Sequence, residues 1–201
     1  MEGTVLFRDF EERDIDFVYQ CKNDEKLNSL TTGQWHPFTY EEAKKWVYGC
    51  MGDHDTYKFW VICTNDDEKR IVGWTSLSNI DKTNKSAFWH SIVIADPQYR
   101  NGFPWIETQI LCLTYAFEVL GVNELSESHF ADHPTSKTIG PILFFDFDRT
   151  EKNAVEKNGI IHDIEYYTLY RKVYEEHKAK GDYEFVSILN RYAQMKRKKK
   201  K

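Results

Sequence analysis

Apolar positions in this chain recur with two periods, and each period marks a kind of element. Thr4–Phe7 reads as a short strand. From Glu12 to Lys22 the apolar Ile15, Val18 and Tyr19 fall at i, i+3 and i+4, the spacing of one helix face. Thr39 followed by Glu42 is a capping box, in which each side chain reaches the other's backbone N–H; Ala43, Trp46 and Val47 continue a helix face behind it. Three strand-like runs follow: Lys58–Cys63, Arg70–Asn79 and Ser86–Ile94. The turns between them, Thr64–Lys69 and Asp81–Lys85, are too short for crossovers, so the three runs predict an antiparallel meander.

The longest helical pattern spans about Trp105 to Leu120, with Pro104 in a first-turn place and Gly121 as a left-handed stop. Leu125 lies in a short strand, and a second helical piece starts near Thr135 or Ser136. Pro141 is expected to end that piece, with Ile142–Phe147 as the next strand, Asp148–Gly159 a polar connection and Ile160–Tyr170 the last strand. Beyond the break at Gly181-Asp182, Phe185, Ile188, Leu189 and Tyr192 form an amphipathic stripe on a helix expected over Tyr183–Met195. Two partners fit that stripe, the chain's own domain or a second copy in a homodimer. The order predicts an α+β fold, with a domain over residues 1–175 and an appended helix and basic tail over 176–201.

Composition narrows the function classes. The 201 residues carry 27 Lys and Arg against 32 Asp and Glu, a net charge of −5. Residues 196–201 hold six of the basic residues; without them the net charge is −11. An acidic body repels phosphate backbones, so DNA is not an expected partner. The basic run, Lys196–Lys201, has nothing to bury and is expected to be mobile. No apolar run reaches the length of a membrane span. Cys21, Cys50, Cys63 and Cys112 have irregular spacing and form no C-x-x-C pair; with a charged, strand-like Met1–Phe10 in place of a targeting segment, they read as reduced thiols of a cytoplasmic protein.

Two motifs suggest other chemistry and lack its context. Asp146-Phe-Asp148 after an apolar run imitates an aspartyl phosphatase, which needs a long parallel sheet and a downstream Lys. His129 and His133 have metal-ligand spacing but stand before Pro134 and outside a helix, so no metal site is expected.

Several further pieces stand in one register: Phe7-Arg8-Asp9-Phe10; Pro37-Phe38-Thr39 with Ala43; Ile71-Val72-Gly73-Trp74 with Leu77; Pro97-Gln98-Tyr99-Arg100; Tyr115-Ala116-Phe117-Glu118 with Leu120-Gly121; His133-x-x-Ser136; Phe144-Phe145; and Gly159, Asp163 and Tyr167-Thr168-Leu169. Together they resemble the GNAT N-acyltransferase superfamily over about residues 4–173, in particular the branch that acetylates ribosomal-protein N-termini and antibiotic amines. The resemblance implies a mixed sheet with a central antiparallel meander, two splayed strands and flanking helices. It also implies acetyl-CoA as co-substrate and a primary amine, on a small molecule or peptide, as acceptor. Backbone groups at Ile92, Val93 and Ile94 would hold the pantetheine arm, and the turn at Arg100, Asn101 and Gly102 the pyrophosphate.

Amine acetylation needs a base for the amine and an acid for the departing thiolate. Ser136 matches the serine that serves as acid in the resembling branch, and a helix N-cap is its alternative role. His90, on the strand entering the slot, has a usable pKa for the base. Trp35, His36, Trp74 and Trp89 are candidates to line the acceptor cleft, and Asp148 to attract a cationic amine. The sequence departs from the family at the cofactor turn, where Gly102 is the one glycine left, Pro104 has no N–H and Trp105 stands in a glycine's place. His133 replaces an Asn and Phe144 a Gly. These departures leave a second reading open, a GNAT-shaped binding module without catalysis.

Overall fold

The computed structural model describes residues 3–29, 31–33, 35–52, 54–134 and 136–198. It is a mixed α+β fold. The chain clusters into two compact units, Met1–Ile80 with His90–Thr108, and Asp81–Trp89 with Gln109–Lys201. No unit boundary falls near residue 175.

In the first unit the strands run β1 (Val5–Arg8), β2 (Lys58–Thr64), β3 (Ile71–Asp81) and the outer half of β4 (Ser86–Ile94), in that order. β1 and β2 pair antiparallel, as do β2 and β3, so this part of the expected meander is present. Helices α1 (Ile15–Lys22), α2 (Glu25–Asn28) and α3 (Tyr40–Cys50) belong to the same unit. The Thr39–Glu42 capping box starts α3 as read from the sequence. Ile15 and Val18 are buried in a core with Phe10, Val47, Val61, Trp74 and Val93, whereas Tyr19 turns outward, since its hydroxyl end is better left in water. Buried Asp14 fixes the entry to α1: it takes two 2.7 Å hydrogen bonds from the Arg8 guanidinium and one of 2.9 Å from the Glu11 N–H.

In the second unit the order is β4 (its inner half), β5 (Glu124–Phe130), β7 (Ile160–Tyr170) and β6 (Asp146–Lys157). β5 runs parallel to β4 from Ser86↔Glu124 to Trp89↔Glu127, where the ladder ends. Helix α4 (Phe103–Thr114) begins in the first unit and ends in the second. Its expected end near Leu120 is instead a π-turn over Tyr115–Val119, closed by Leu120 N–H to Tyr115 O at 2.9 Å. Gly121, at φ +70°, ends it as expected.

Two corrections concern the stretch after Ser136. Pro141 sits inside α5 (Ile139–Leu143), where a first-turn N–H has no helical partner to lose, and the next strand starts only at Asp146. Of the polar stretch expected as a connection over 148–159, residues 148–157 belong to strand β6, antiparallel to β7. Most of its residues are exposed, so no apolar alternation betrays it. Its signal is the turn Asn158-Gly159, both at positive φ, the two-residue pattern that matches the twist of a hairpin.

The C-terminal segment folds as α6 (Arg171–Ala179) and α7 (Phe185–Lys198). Ile188 is fully buried and Phe185, Leu189 and Tyr192 half-buried. Tyr183 O–H donates to Leu143 O at 3.1 Å and Arg191 Nε to Ile142 O at 2.9 Å, so this segment is bound to the end of α5 in its own chain. Lys196–Lys198 are helical, contrary to the expected mobile run, because α7 continues through them; Lys199–Lys201 lie outside the described residues.

The same segment accounts for Phe144 standing where the family has glycine. Phe144 ends α5 in the left-handed region, φ 65° and ψ 30°, which costs a residue with a Cβ roughly 1–2 kcal/mol. Its ring stacks on His177 at 3.4 Å between centroids, meets Tyr183 edge-on and lies under the Arg191 guanidinium at 4.7 Å. Removing the chain after Gly181 takes away Arg191, Tyr183 and the burial of Ile188. Calorimetry should then show stability lowered by about 3 kcal/mol and Tm by roughly 6–12 °C.

Candidate active site

The first unit forms the candidate cofactor turn, and glycine 73 positions it. A Cβ there would lie 1.9 Å from Val93 O, so β3 and β4 approach more closely than any side chain allows. At the end of β4 the Ala95 and Asp96 N–H groups both donate to Val72 O, at 2.9 and 3.1 Å, the geometry of a bulge. Val93 is buried against the Trp74 side of the sheet, while Ile92 and Ile94 pack half-buried on the other face with Val5, Ile62, Val72 and Tyr99. Backbone groups, not these side chains, would have to meet a ligand at this strand.

Arg100 lies just beyond the end of this strand. Its Nε donates to Ile94 O at 2.9 Å and a terminal nitrogen to Ala95 O at 2.7 Å, so the guanidinium closes the strand end. Asn101 Oδ1 accepts from the Phe103 N–H at 3.0 Å and thereby starts α4. Gly102 has φ +98° and open space where a Cβ would be. Among the described residues the Asn101 and Gly102 N–H groups have no partner. Beside Asn101 lies a cavity of about 440 Å³ lined also by Thr4, Thr64, Asn65, Asp66, Gln98, Tyr99 and Pro104. Two unpaired donors at a helix start fit a pyrophosphate, with fewer donors than a glycine-rich turn would give and with the Asp66 carboxylate, kept ionised by its hydrogen bond from Thr64, opposing an anion in that cavity. Glu107 does not compete for the site: its carboxylate takes the Thr4 N–H and hydroxyl and the Val5 N–H at 2.7–3.0 Å.

His90 is exposed on β4, yet enough protein surrounds its ring that desolvation, and then the charge of Lys22, hold its pKa below the usual imidazole value. Trp35 donates its indole N–H to Lys22 O at 2.7 Å. His36 is exposed and stacks on Phe38. Trp74 and Trp89 are both buried, in the first and second unit respectively. Trp35, Trp74 and His90 share the surroundings of Lys22, and Trp89, Ser136 and Asp148 lie in the other unit.

In the second unit Ser136 opens a short 3-10 turn, and its N–H donates to His133 Nδ1 at 2.9 Å. His133 thus fills the cap role of the Asn it replaces, with its proton on Nε2. Burial, and then the charge of His129, lower the His133 pKa to about 4. The Ser136 hydroxyl has no hydrogen bond among the described residues. Asp148 is exposed on β6 and accepts from Thr168 Oγ1 at 2.7 Å, with Ser126 Oγ 2.9 Å behind it. β6 is antiparallel to its neighbour, which removes the phosphatase reading of Asp146 and Asp148.

The sequence reading missed a buried pair on β5. Glu127 and His129 are both 5% exposed, with Glu127 Oε2 3.0 Å from His129 Nδ1. Among the described residues Glu127 Oε1 and His129 Nε2 have no hydrogen-bond partner, and His129 Nε2 lies 3.9 Å from Glu165 Oε2. Burial raises the Glu127 pKa, and Tyr167 stacks on the His129 ring. The i, i+2 spacing, which puts both on one face of a strand, was the available signal. Among the described residues no three His, Cys, Asp or Glu side chains could together hold a metal ion.

A family model for the acetyltransferase (GNAT) domain matches residues 4–140. The chain belongs to the GNAT acetyltransferase family, whose members use acetyl-CoA as co-substrate. No curated protein matches it by sequence. Among solved structures it is similar to spermidine N-acetyltransferase from Vibrio cholerae, in complex with CoA and spermine, with TM-score 0.74 and 18% identity over 86% of this chain and 98% of that one. It is also similar to a GCN5-related N-acetyltransferase from Brucella melitensis (TM-score 0.70, 16% identity, 89% of this chain and 83% of that one). A GNAT-family acetyltransferase from Bacillus anthracis gives TM-score 0.70 and 18% identity over 85% and 96%. At these identities the likeness establishes the fold.

The lowered pKa of His133 has a consequence for stability. The folded state releases this proton more readily than the unfolded one, so the stabilisation is complete above about pH 6.5 and is lost as pH falls towards 4. In a denaturant titration the pH slope between 6.5 and 4 should be shallower in His133→Asn, and nuclear magnetic resonance should show an uncharged His133 ring at pH 5.5.

Proposed function

We propose that this protein is an acetyl-CoA-dependent N-acetyltransferase acting on a primary amine of a small molecule or peptide, in the cytoplasm, and related to the branch that modifies ribosomal-protein and antibiotic amines. The observation that carries the reading is the Ser136 hydroxyl, which has no hydrogen bond among the described residues at a turn whose backbone His133 caps. An acid for a leaving thiolate needs such a hydroxyl, held in place and not engaged elsewhere.

The co-substrate supplies a thioester carbonyl and a thiol leaving group. Arg100, Asn101 and Gly102 hold its pyrophosphate, and the backbone of Ile92, Val93 and Ile94 lies along its arm. His90 takes the proton that the amine must shed. Its lowered pKa keeps it unprotonated at neutral pH, so it is ready as an acceptor. As the N–C bond forms and the C–S bond breaks, Ser136 gives its hydroxyl proton to the sulfur, and the proton taken up by His90 returns to the serine oxygen by way of solvent, restoring both groups. Trp35, His36, Trp74, Trp89 and Asp148 are the residues proposed for the acceptor side, and the division into an acyltransferase domain (1–175) and an appended segment (176–201) belongs to this reading.

One observation favours the second reading, a binding module without catalysis: Arg100 is engaged with Ile94 and Ala95 and Pro104 offers no N–H, so the turn has few donors. Thermal denaturation with acetyl-CoA tests whether the turn suffices. At one hundred times the dissociation constant, binding should add about 2.7 kcal/mol of stability. An unchanged Tm at millimolar ligand removes the enzyme.

Ser136→Ala separates the serine's roles. If it is the acid, kcat should fall roughly 100-fold or more while CoA affinity, read by calorimetry, stays the same. An unchanged kcat makes the serine structural.

A further inference from the structure

Three aromatic rings surround the ammonium of Lys22. Nζ lies 4.5 Å from the centroid of Trp46, 5.4 Å from Phe38 and 5.7 Å from Trp74. The rings come from α3, the segment before it, and β3, so the chain brings together four residues far apart in sequence. Among the described residues Nζ makes no ion pair and no hydrogen bond. A half-buried lysine normally has a carboxylate or carbonyl partner, because dehydrating an ammonium is costly. Here three ring faces stand where such a partner would, and desolvation lowers the Lys22 pKa.

The walls and the occupant are held very differently. Trp46 meets Phe10 and Phe59 edge-on, at 5.5 and 5.6 Å, and leans on Trp74 at 5.7 Å. Trp74 is buried and braced edge-on by Phe17. The Phe38 carbonyl accepts from Asn23 Nδ2 at 3.1 Å, and Trp35 ties its own segment to Lys22 O. The cage is therefore built in advance, whereas the lysine occupies it at the end of a flexible four-carbon stem.

We propose that the cage of Phe38, Trp46 and Trp74 is a recognition site for an organic ammonium, held here by Lys22 as an internal stand-in, and that a second, alkylated ammonium of the acceptor, separate from the primary amine that is acetylated, displaces Lys22 from it. The acceptor half of this statement rests on the acetyltransferase reading; the cage does not. The chemistry selects the ligand. With no carboxylate or carbonyl to receive N–H groups, the rings favour a weakly hydrated head, an alkylated ammonium, over a compact primary one. The Lys22 charge also acts on His90, so a ligand cation in the same place keeps that imidazole neutral as Lys22 does.

Choline and its uncharged isostere 3,3-dimethyl-1-butanol are the probes, with indole fluorescence and calorimetry as readouts. Choline should bind Lys22→Ala roughly tenfold more tightly than the parent protein, and the neutral isostere should not. Trp46→Phe in the Lys22→Ala background should weaken choline severalfold, with the thermal transition checked to show both variants folded. In the parent protein, the ring-shifted ε-methylene protons of Lys22 should move towards free-lysine positions as choline saturates. Equal affinity for the two probes, equal affinity of parent and Lys22→Ala, or choline binding that leaves the Lys22 protons unmoved overturns the cage. Choline binding without any heat from acetyl-CoA keeps the cage and removes its acceptor role; acetyl-CoA binding without a choline response keeps the acetyltransferase and removes the cage.

Discussion

The first unit depends on a side chain that is not there. Gly73 lets β3 press against the backbone of β4, and even a methyl group at this position would overlap Val93 O. This closeness puts Val72 O within reach of two successive N–H groups, Ala95 and Asp96, which turn the chain out of the sheet. The next carbonyls, Ile94 and Ala95, then point at Arg100, and the arginine that closes them delivers Asn101 and Gly102 to the first turn of α4. One missing Cβ thus sets the place of the only unpaired donors, among the described residues, that this turn offers a phosphate.

A second dependence runs through the C-terminal segment. The family's glycine at the end of α5 allows a left-handed residue without strain; this chain has Phe144 in the same conformation. The ring is then sandwiched by His177 and Arg191, residues that exist only because the chain continues beyond its last strand. The substitution and the extension therefore belong together. The departure at this position reports packing, and it says nothing against catalysis.

Much of the fold was legible because local rules and tertiary packing agree. The Thr39–Glu42 box, the strand Ser86–Ile94, the strand Ile160–Tyr170 and the stop at Gly121 are all where their chemistry places them. The strand Asp146–Lys157 was hidden because hydrophobic alternation marks burial, and this strand has little of it. The candidate site was legible only where a short motif carries it, as at Ser136. Lys22, Phe38, Trp46 and Trp74 converge from three elements, and no spacing along a chain can announce that. Arg100 shows the opposite case: a charged side chain in the right motif place, turned by local geometry onto backbone carbonyls.

All four cysteines are free and buried, and burial raises the thiol pKa of Cys21 and Cys50 to about 12 and that of Cys63 less far. A thiolate, not a thiol, attacks disulfides and electrophiles, so Cys21, Cys50 and Cys63 are silent at neutral pH. Members of this family use acetyl-CoA as co-substrate and so work beside free CoA, a foreign thiol. With those three sulfurs held protonated and all four shut away from solvent, the folded chain offers such a thiol little to form a mixed disulfide with. For the same reason a thiol-reactive dye added to the folded protein would leave these sulfurs unlabelled.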